Sequence, residues 1–282
     1  MEPTALGPRI DVRALFAPER QALVGLLDSL DAREWTASTP CPAWSVHELA
    51  VHVLHDDVRR LSAQRDGHAG SSLSASTLDE LADALDEVNR QWVRTVAPAL
   101  SPRLTVEALA WLAAASEALL TGLTPDQEGP TVAWAGSGPH PNWLDVAREF
   151  TERWVHQQQI REAVGQPGLA GREYVEPVVD TFARALPASL PERPPGTEVQ
   201  LRVSRPVDRS WTVRCVSSGW RFVELSASPA AVVELPAETL WRRAVRMTSR
   251  EQAVRNAHVD GDPHLAAAVL DIRAAIVPDE AS

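Results

Sequence analysis

The sequence has no lysine: all 27 of its basic residues are arginine. That absence excludes Schiff-base and pyridoxal-phosphate chemistry and the lysine of a phosphate-binding P-loop. No GxGxxG or Walker pattern occurs either, so a nucleotide has no visible cradle. Cysteine is nearly as scarce. Cys41 and Cys215 lie far apart and make no disulfide framework. No uninterrupted run of about 18 apolar residues is present, and no membrane span is expected. The opening residues Met-Glu-Pro-Thr-Ala-Leu-Gly-Pro-Arg lack the basic flank and apolar core of a secretory signal, so the chain is expected to be cytoplasmic. A formal charge of −11 opposes binding to a polyanion, and no nucleic-acid partner is expected. The remaining chemistry must come from His, carboxylates, Arg, Cys, or a group supplied from outside.

What is present reads as helix first and sheet second. Leu15, Leu23, Leu26, Leu27 and Leu30 repeat at helical spacing within 11–31. Ser45, with Glu48 three residues on, marks a capping box for a helix from near Trp44 to about Ala63. The segment 66–72 reads as a loop, followed by amphipathic helices over 77–98 and 104–123. A Gly- and Pro-rich loop, 124–141, precedes a helix from about Asn142 to Val164, which Gly165, Pro167 and Gly168 stop. A further helix is expected over 175–188. Long helices with modest connections predict an antiparallel bundle over residues 1–190. The segment Pro191–Gly196 reads as a hinge. Beyond it, 199–203, 210–216, 220–225 and 231–235 are short and rich in Val and Trp and read as strands. Helices over 237–246, 250–256 and 263–276 then complete a small α+β domain, 197–282.

Within the bundle, three residues stand out. Glu152 and His156 are four apart on one helix, so a carboxylate and an imidazole share a face. His52 lies on another helix, with Glu48 and Asp56 within about 40° of it and His55 within about 60°. His47 lies about 140° away and does not face the same point. Two imidazoles and one carboxylate from two helices would form a divalent-metal site with open positions. The bland alternatives are a half-buried His52 satisfied by Asp56 and a weak contact between Glu152 and His156. Phe150, Trp154, Val155 and Ile160 bury much of the second helix, where a carboxylate needs a partner or a metal. Cys41, between two prolines just before a helix, reads as a nucleophile or as a small apolar residue in a rigid turn. Cys215 reads as core. The tryptophans read as packing, with Trp44 and Trp154 near enough in sequence to wall a pocket.

The stretch Thr39-Pro-Cys-Pro-Ala-Trp-Ser-Val-His-Glu-Leu-Ala-Val-His52, the following Asp56-Asp57-Val-Arg-Arg60, and Glu152-Arg-Trp-Val-His156-Gln-Gln-Gln-Ile-Arg161 resemble the mycothiol-dependent maleylpyruvate isomerase family of the DinB-like metalloprotein superfamily. Pro42-Ala43-Trp44 stands where that family more usually has Pro-Gly-Trp. The resemblance implies a DinB-like antiparallel four-helix bundle followed by a sterol-carrier-like α+β domain. It further implies that His52, Glu152 and His156 hold a divalent metal, usually zinc, and that mycothiol serves as thiol cofactor or co-substrate. A metal-bound thiol loses its proton near neutral pH, so no protein cysteine is needed as nucleophile. The implied activity is isomerisation of, or thiol transfer to, a small electrophile of maleylpyruvate type. Arg59, Arg60 and Arg273 are candidates for binding a substrate carboxylate or the thiol's polar groups, and each is equally readable as a surface residue.

Two other functions fit the same residues. One is a metal-dependent biosynthetic enzyme that uses no thiol. The other is a non-catalytic binder of a metal or small ligand, which would show closed coordination and no adjacent opening. As an assembly, the chain is expected to act as a monomer or homodimer.

Overall fold

The computed structural model describes residues 4–41, 44–68, 70, 77–224 and 228–274. Parts of four expected features lie outside them: Pro42 and Ala43 of the motif, Ala69, Ser71 and Ser72 of the loop, Leu225 of a strand, and the last two residues of the final helix.

In chain order the elements are α1 (Phe16–Asp28), α2 (Val46–Arg60), α3 (Leu78–Val96), α4 (Pro102–Gly122), β1 (Glu128–Gly129), β2 (His140–Pro141), α5 (Asn142–Ala163), α6 (Arg172–Ala183), α7 (Leu186–Ser189), β3 (Glu198–Ser204), β4 (Arg209–Val216), β5 (Gly219–Val223), β6 (Ala231–Pro236), α8 (Ala237–Ala244), α9 (Arg250–Asn256), β7 (His258–Gly261) and α10 (Pro263–Leu270). The chain forms two compact units. One comprises Asp11–Gln127 and Arg148–Leu169; the other comprises Met1–Ile10, Glu128–Ala147 and Ala170–Ser282. Helix α6 therefore groups with the sheet, although its periodicity reads like that of the preceding helices.

In the helical unit, α1 packs on α4, and α2 packs on both α3 and α4. Leu23, Leu26 and Leu27 of α1, Leu49, Ala50, Val53 and Leu54 of α2, Val106 and Leu109 of α4, and Ile160 of α5 form one core. Helix α2 starts where its sequence says it should. The Ser45 backbone N–H donates to the Glu48 carboxylate at 2.8 Å, and Glu48 N–H donates back to Ser45 Oγ at 3.4 Å. Past Arg60 it runs on as a π-helical turn, Leu61–Arg65. Helix α5 ends in a Schellman pattern: Gln166 N–H donates to Arg161 O at 2.8 Å, and Gly165, at φ +66°, donates to Glu162 O.

Helix α4 is long and apolar enough, by length and composition, to cross a membrane. Arg103, Glu107 and Glu117 interrupt its apolar sequence. Its Thr105 and Ser116 are fully buried, and Ser116 donates to Asp57, so one face is fitted to this unit.

The other unit carries a five-stranded sheet in the order β5-β4-β3-β6-β7. All its pairings are antiparallel except β3 with β6. Val199, Leu201 and Val203 of β3, Val213 and Cys215 of β4, and Val233 and Leu235 of β6 alternate into the core. Helix α8 packs on β3 and β6, and α10 packs on β6. Strand β7 is absent from the sequence expectation. All four of its residues are exposed, so no apolar alternation marks it, and it pairs only at the edge of the sheet. Gly261 ends it at φ +90°, where an added Cβ would run into the Ala230 carbonyl, so the position requires glycine.

Candidate metal centre

Charges buried between helices α1, α2, α4 and α5 set their relative register. Asp57 accepts from Arg20 of α1 at 2.6 Å, from Arg153 of α5 at 2.7 Å, and from Ser116 of α4 at 2.7 Å. Arg60 pairs with Glu149 at 2.8 Å, and Arg153 closes back onto Glu149 at 3.2 Å. One turn further along α5, Gln157 donates to Glu19 of α1 at 2.9 Å. Burial alone would raise the Glu149 carboxyl, but Arg60, Arg153 and Arg148 outweigh it and hold Glu149 well below the usual carboxylate range. Asp57 follows the same pattern: burial opposes ionisation, and Arg153 and Arg20 overcome it. Glu19 has weaker compensation, and burial pushes it up.

This lattice places the next residue along each helix. Asp56 adjoins Asp57, and Glu152 adjoins Arg153. The His52 and His156 rings meet with centroids 4.8 Å apart and planes at 89°. His156 Nε2 lies 3.9 Å from Glu152 Oε2. His52 Nε2 lies 3.7 Å from Asp56 Oδ2. Trp44, just ahead of the cap of α2, lies against the other side of His52 at 4.6 Å. His55, one turn on, stacks on Trp92 of α3 at 4.4 Å and 12°. Coordinating atoms of His52, His55 and Asp56 fall within 4.8 Å of one another.

Whether these side chains fit a metal can be tested on their own contacts. Separations of 3.7 and 3.9 Å are too long for hydrogen bonds. They are close to the spacing of two ligands that each stand about 2 Å from one ion. His52 Nδ1 is buried with no hydrogen-bond partner among the described residues. Burial, reinforced by His156 and opposed by Asp56, pushes His52 down to about 4. The ring is therefore neutral near pH 7, the form that binds metals. Burial also pushes Glu152 up against the pull of His156 and Arg148, with Asp56 and Glu149 raising it further. An added cation would offset the penalty on the Glu152 carboxylate and leave the His52 ring neutral. Among the described residues, His52, His55 and Asp56 are close enough together to share one ion.

The sequence expectations fare unequally in this geometry. His52 of α2 and His156 of α5 meet ring to ring, with Glu152 3.9 Å from His156, whereas the three residues whose coordinating atoms cluster are His52, His55 and Asp56. Asp56, read as a hydrogen-bond partner for His52, stands beyond hydrogen-bond range and joins the same cluster. His47 faces elsewhere, on Trp35 and Thr105. Arg59 is half exposed, 3.7 Å from Asp56. Arg60 is buried in its pair with Glu149, and Arg273 belongs to the sheet unit. Trp154 is fully buried and donates to Leu169 O, so it packs the helical unit. Cys215 is core, as expected, and Cys41 is half-buried. The ion lattice of Arg20, Asp57, Glu149 and Arg153 has no motif in the sequence. Its only signal is charge at positions where the helical period demands burial.

Residues 16–161, just over half of the chain, match the family described as mycothiol maleylpyruvate isomerase N-terminal domain. The chain belongs to this family. The whole fold resembles the crystal structure of the mycothiol-dependent maleylpyruvate isomerase, with a TM-score of 0.55 at 13% identity over 93% of this chain and 98% of that one. A histidine-to-alanine mutant of that isomerase gives a TM-score of 0.55 at 12% identity over the same shares. At this distance the likeness shows the fold. A comparison with curated proteins gives no match.

Proposed function

We propose that this member of the family is a divalent-metal- and mycothiol-dependent enzyme that isomerises, or transfers thiol to, a small conjugated electrophile. The observation that carries the reading is the convergence of His52 and His156, ring against ring across two helices, with Glu152 beside them. In this reading the helical unit is a DinB-like four-helix bundle, and the sheet unit is sterol-carrier-like. His52, His156 and Glu152 hold the ion, with zinc the natural match for two imidazoles and a carboxylate. The ion supplies a Lewis acid that favours the thiolate form of a thiol at neutral pH.

The chain's residues do the rest. The neutral His52 and a Glu152 carboxylate that a bound cation would stabilise set the charge of the site. Trp44 and Trp92, lying on His52 and His55, keep water from that side. Arg59, half exposed at the rim and held only loosely by Asp56, is the cation best placed to meet a substrate carboxylate. Arg60 already neutralises Glu149 and is not available for that role. For isomerisation, the thiolate sulfur adds to one alkene carbon and the electron pair moves to the conjugated carbonyl oxygen. Rotation about the resulting single bond and re-expulsion of the thiolate return the trans alkene with no net consumption of thiol. For transfer, a proton on the adjacent carbon ends the reaction at the adduct.

The test is turnover of cis-configured conjugated keto acids by zinc-loaded protein with and without mycothiol. Turnover that requires both zinc and thiol supports the reading. Turnover with zinc alone would replace it with a thiol-independent Lewis-acid enzyme. One-to-one zinc binding with no turnover of any electrophile would favour a non-catalytic binder.

A further inference from the structure

The geometry points to Gln159 as the residue that fixes which nitrogen of His156 faces the centre. This inference rests on the metal reading above. His156 Nδ1 lies 2.8 Å from Gln159 Oε1, one turn along α5 on the side away from Glu152. An amide oxygen only accepts, so a bond at that distance requires the proton to be on Nδ1. Nε2 is then left with a bare lone pair, and Nε2 is the atom that stands by Glu152. Gln159 is itself buried, at 6% exposure, in a helix whose packing leaves its side chain little freedom to turn away. It is therefore a positioning residue: it touches neither substrate nor ion, and it acts by presetting the tautomer and ring orientation of His156. Partners that orient a metal-binding imidazole in this way typically contribute about ten- to a hundred-fold in metal affinity.

The neighbouring glutamines do different work, which isolates Gln159. Gln157 points to Glu19 of α1, and Gln158 accepts from Leu169 N–H. Of the three consecutive glutamines, only Gln159 is bonded to His156.

The test uses the full chain with its histidine side chains labelled with nitrogen-15, first metal-free and then in zinc titrations against a chelator. In the metal-free wild type, at a pH where the His156 ring carries one proton, that proton is expected on Nδ1. In Gln159→Leu the ring should revert toward the Nε2-protonated form, with zinc affinity lower by about ten- to a hundred-fold. Gln159→Glu, which keeps an acceptor oxygen, should retain both the tautomer and the affinity. A wild-type His156 protonated on Nε2, or a Gln159→Leu protein with unchanged tautomer and affinity, would overturn the assignment. A wild type that shows the Nδ1-protonated form yet binds no zinc keeps the tautomer assignment and contradicts the metal reading, so the two failures are distinguishable.

Discussion

The imidazoles of His52 and His156 meet edge to face at 4.8 Å, one from α2 and one from α5, although they are more than a hundred residues apart in the chain. An edge-to-face ring contact alone is too weak to hold two helices in this arrangement. The buried Arg–carboxylate lattice beside it holds them, since Arg60–Glu149 and Arg153–Asp57 tie the same two helices together.

Removing one member of that lattice should therefore weaken both the fold and the centre. Asp57→Asn leaves the buried Arg20 and Arg153 without their shared counter-charge. Loss of one partner from a buried ion pair destabilises by roughly 3 kcal/mol or more. Urea denaturation of the metal-free protein measures this; a change below about 0.5 kcal/mol would show that the lattice does not set the register.

The burial of His52 predicts an acid-sensitive fold. Its proton affinity is depressed in the folded chain, to about 4 against an ordinary 6.5, so the unfolded chain binds the proton first. The stabilisation from the neutral ring is present above about pH 6.5, declines as pH falls, and is gone below about pH 4. The full difference is on the order of 3 kcal/mol. Glu152 is shifted upward and acts in the opposite sense over part of this range. The contribution of the imidazole is therefore read as the difference between wild type and His52→Gln in metal-free denaturation curves from pH 4 to 8.

At the start of α2, Ser45→Ala removes the side chain that closes the capping box with Glu48. The expected loss is about 1 kcal/mol, with zinc stoichiometry unchanged because the helix persists. Thermal unfolding and metal analysis of the one variant check both halves.

Trp111 provides the contrast. It is 81% exposed on α4, so Trp111→Gln should alter stability by no more than about 0.5 kcal/mol. A larger loss on denaturation would mean that this face is covered in solution.

The sequence is most legible where a local rule applies. Ser45 and Glu48 mark the start of α2, Gly165 marks the end of α5, and the alternation of Val199, Leu201 and Val203 marks β3. The spacing of Glu152 and His156 places both on one face of α5, and the family motif adds His52. Features that depend on partners distant in the chain are not legible in this way. Arg60 reads as an anion-binding candidate or a surface cation until Glu149 is seen opposite it, and no local pattern marks Asp57 as the point where Arg20, Ser116 and Arg153 close. Strand β7 is invisible because an exposed edge strand carries no apolar pattern. Gln159 is masked by two neighbours of the same type, and only its distance to His156 separates it from them.

The claim on which the rest depends is that His52, Glu152 and His156 together hold one divalent ion. Its most direct test is the zinc content and affinity of the full chain purified under metal-replete conditions, compared with His52→Ala, Glu152→Ala and His156→Ala proteins of unchanged circular dichroism. The account predicts one zinc per chain in the wild type and loss of binding in each variant. A wild type without metal, or variants that keep full stoichiometry and affinity, would contradict it.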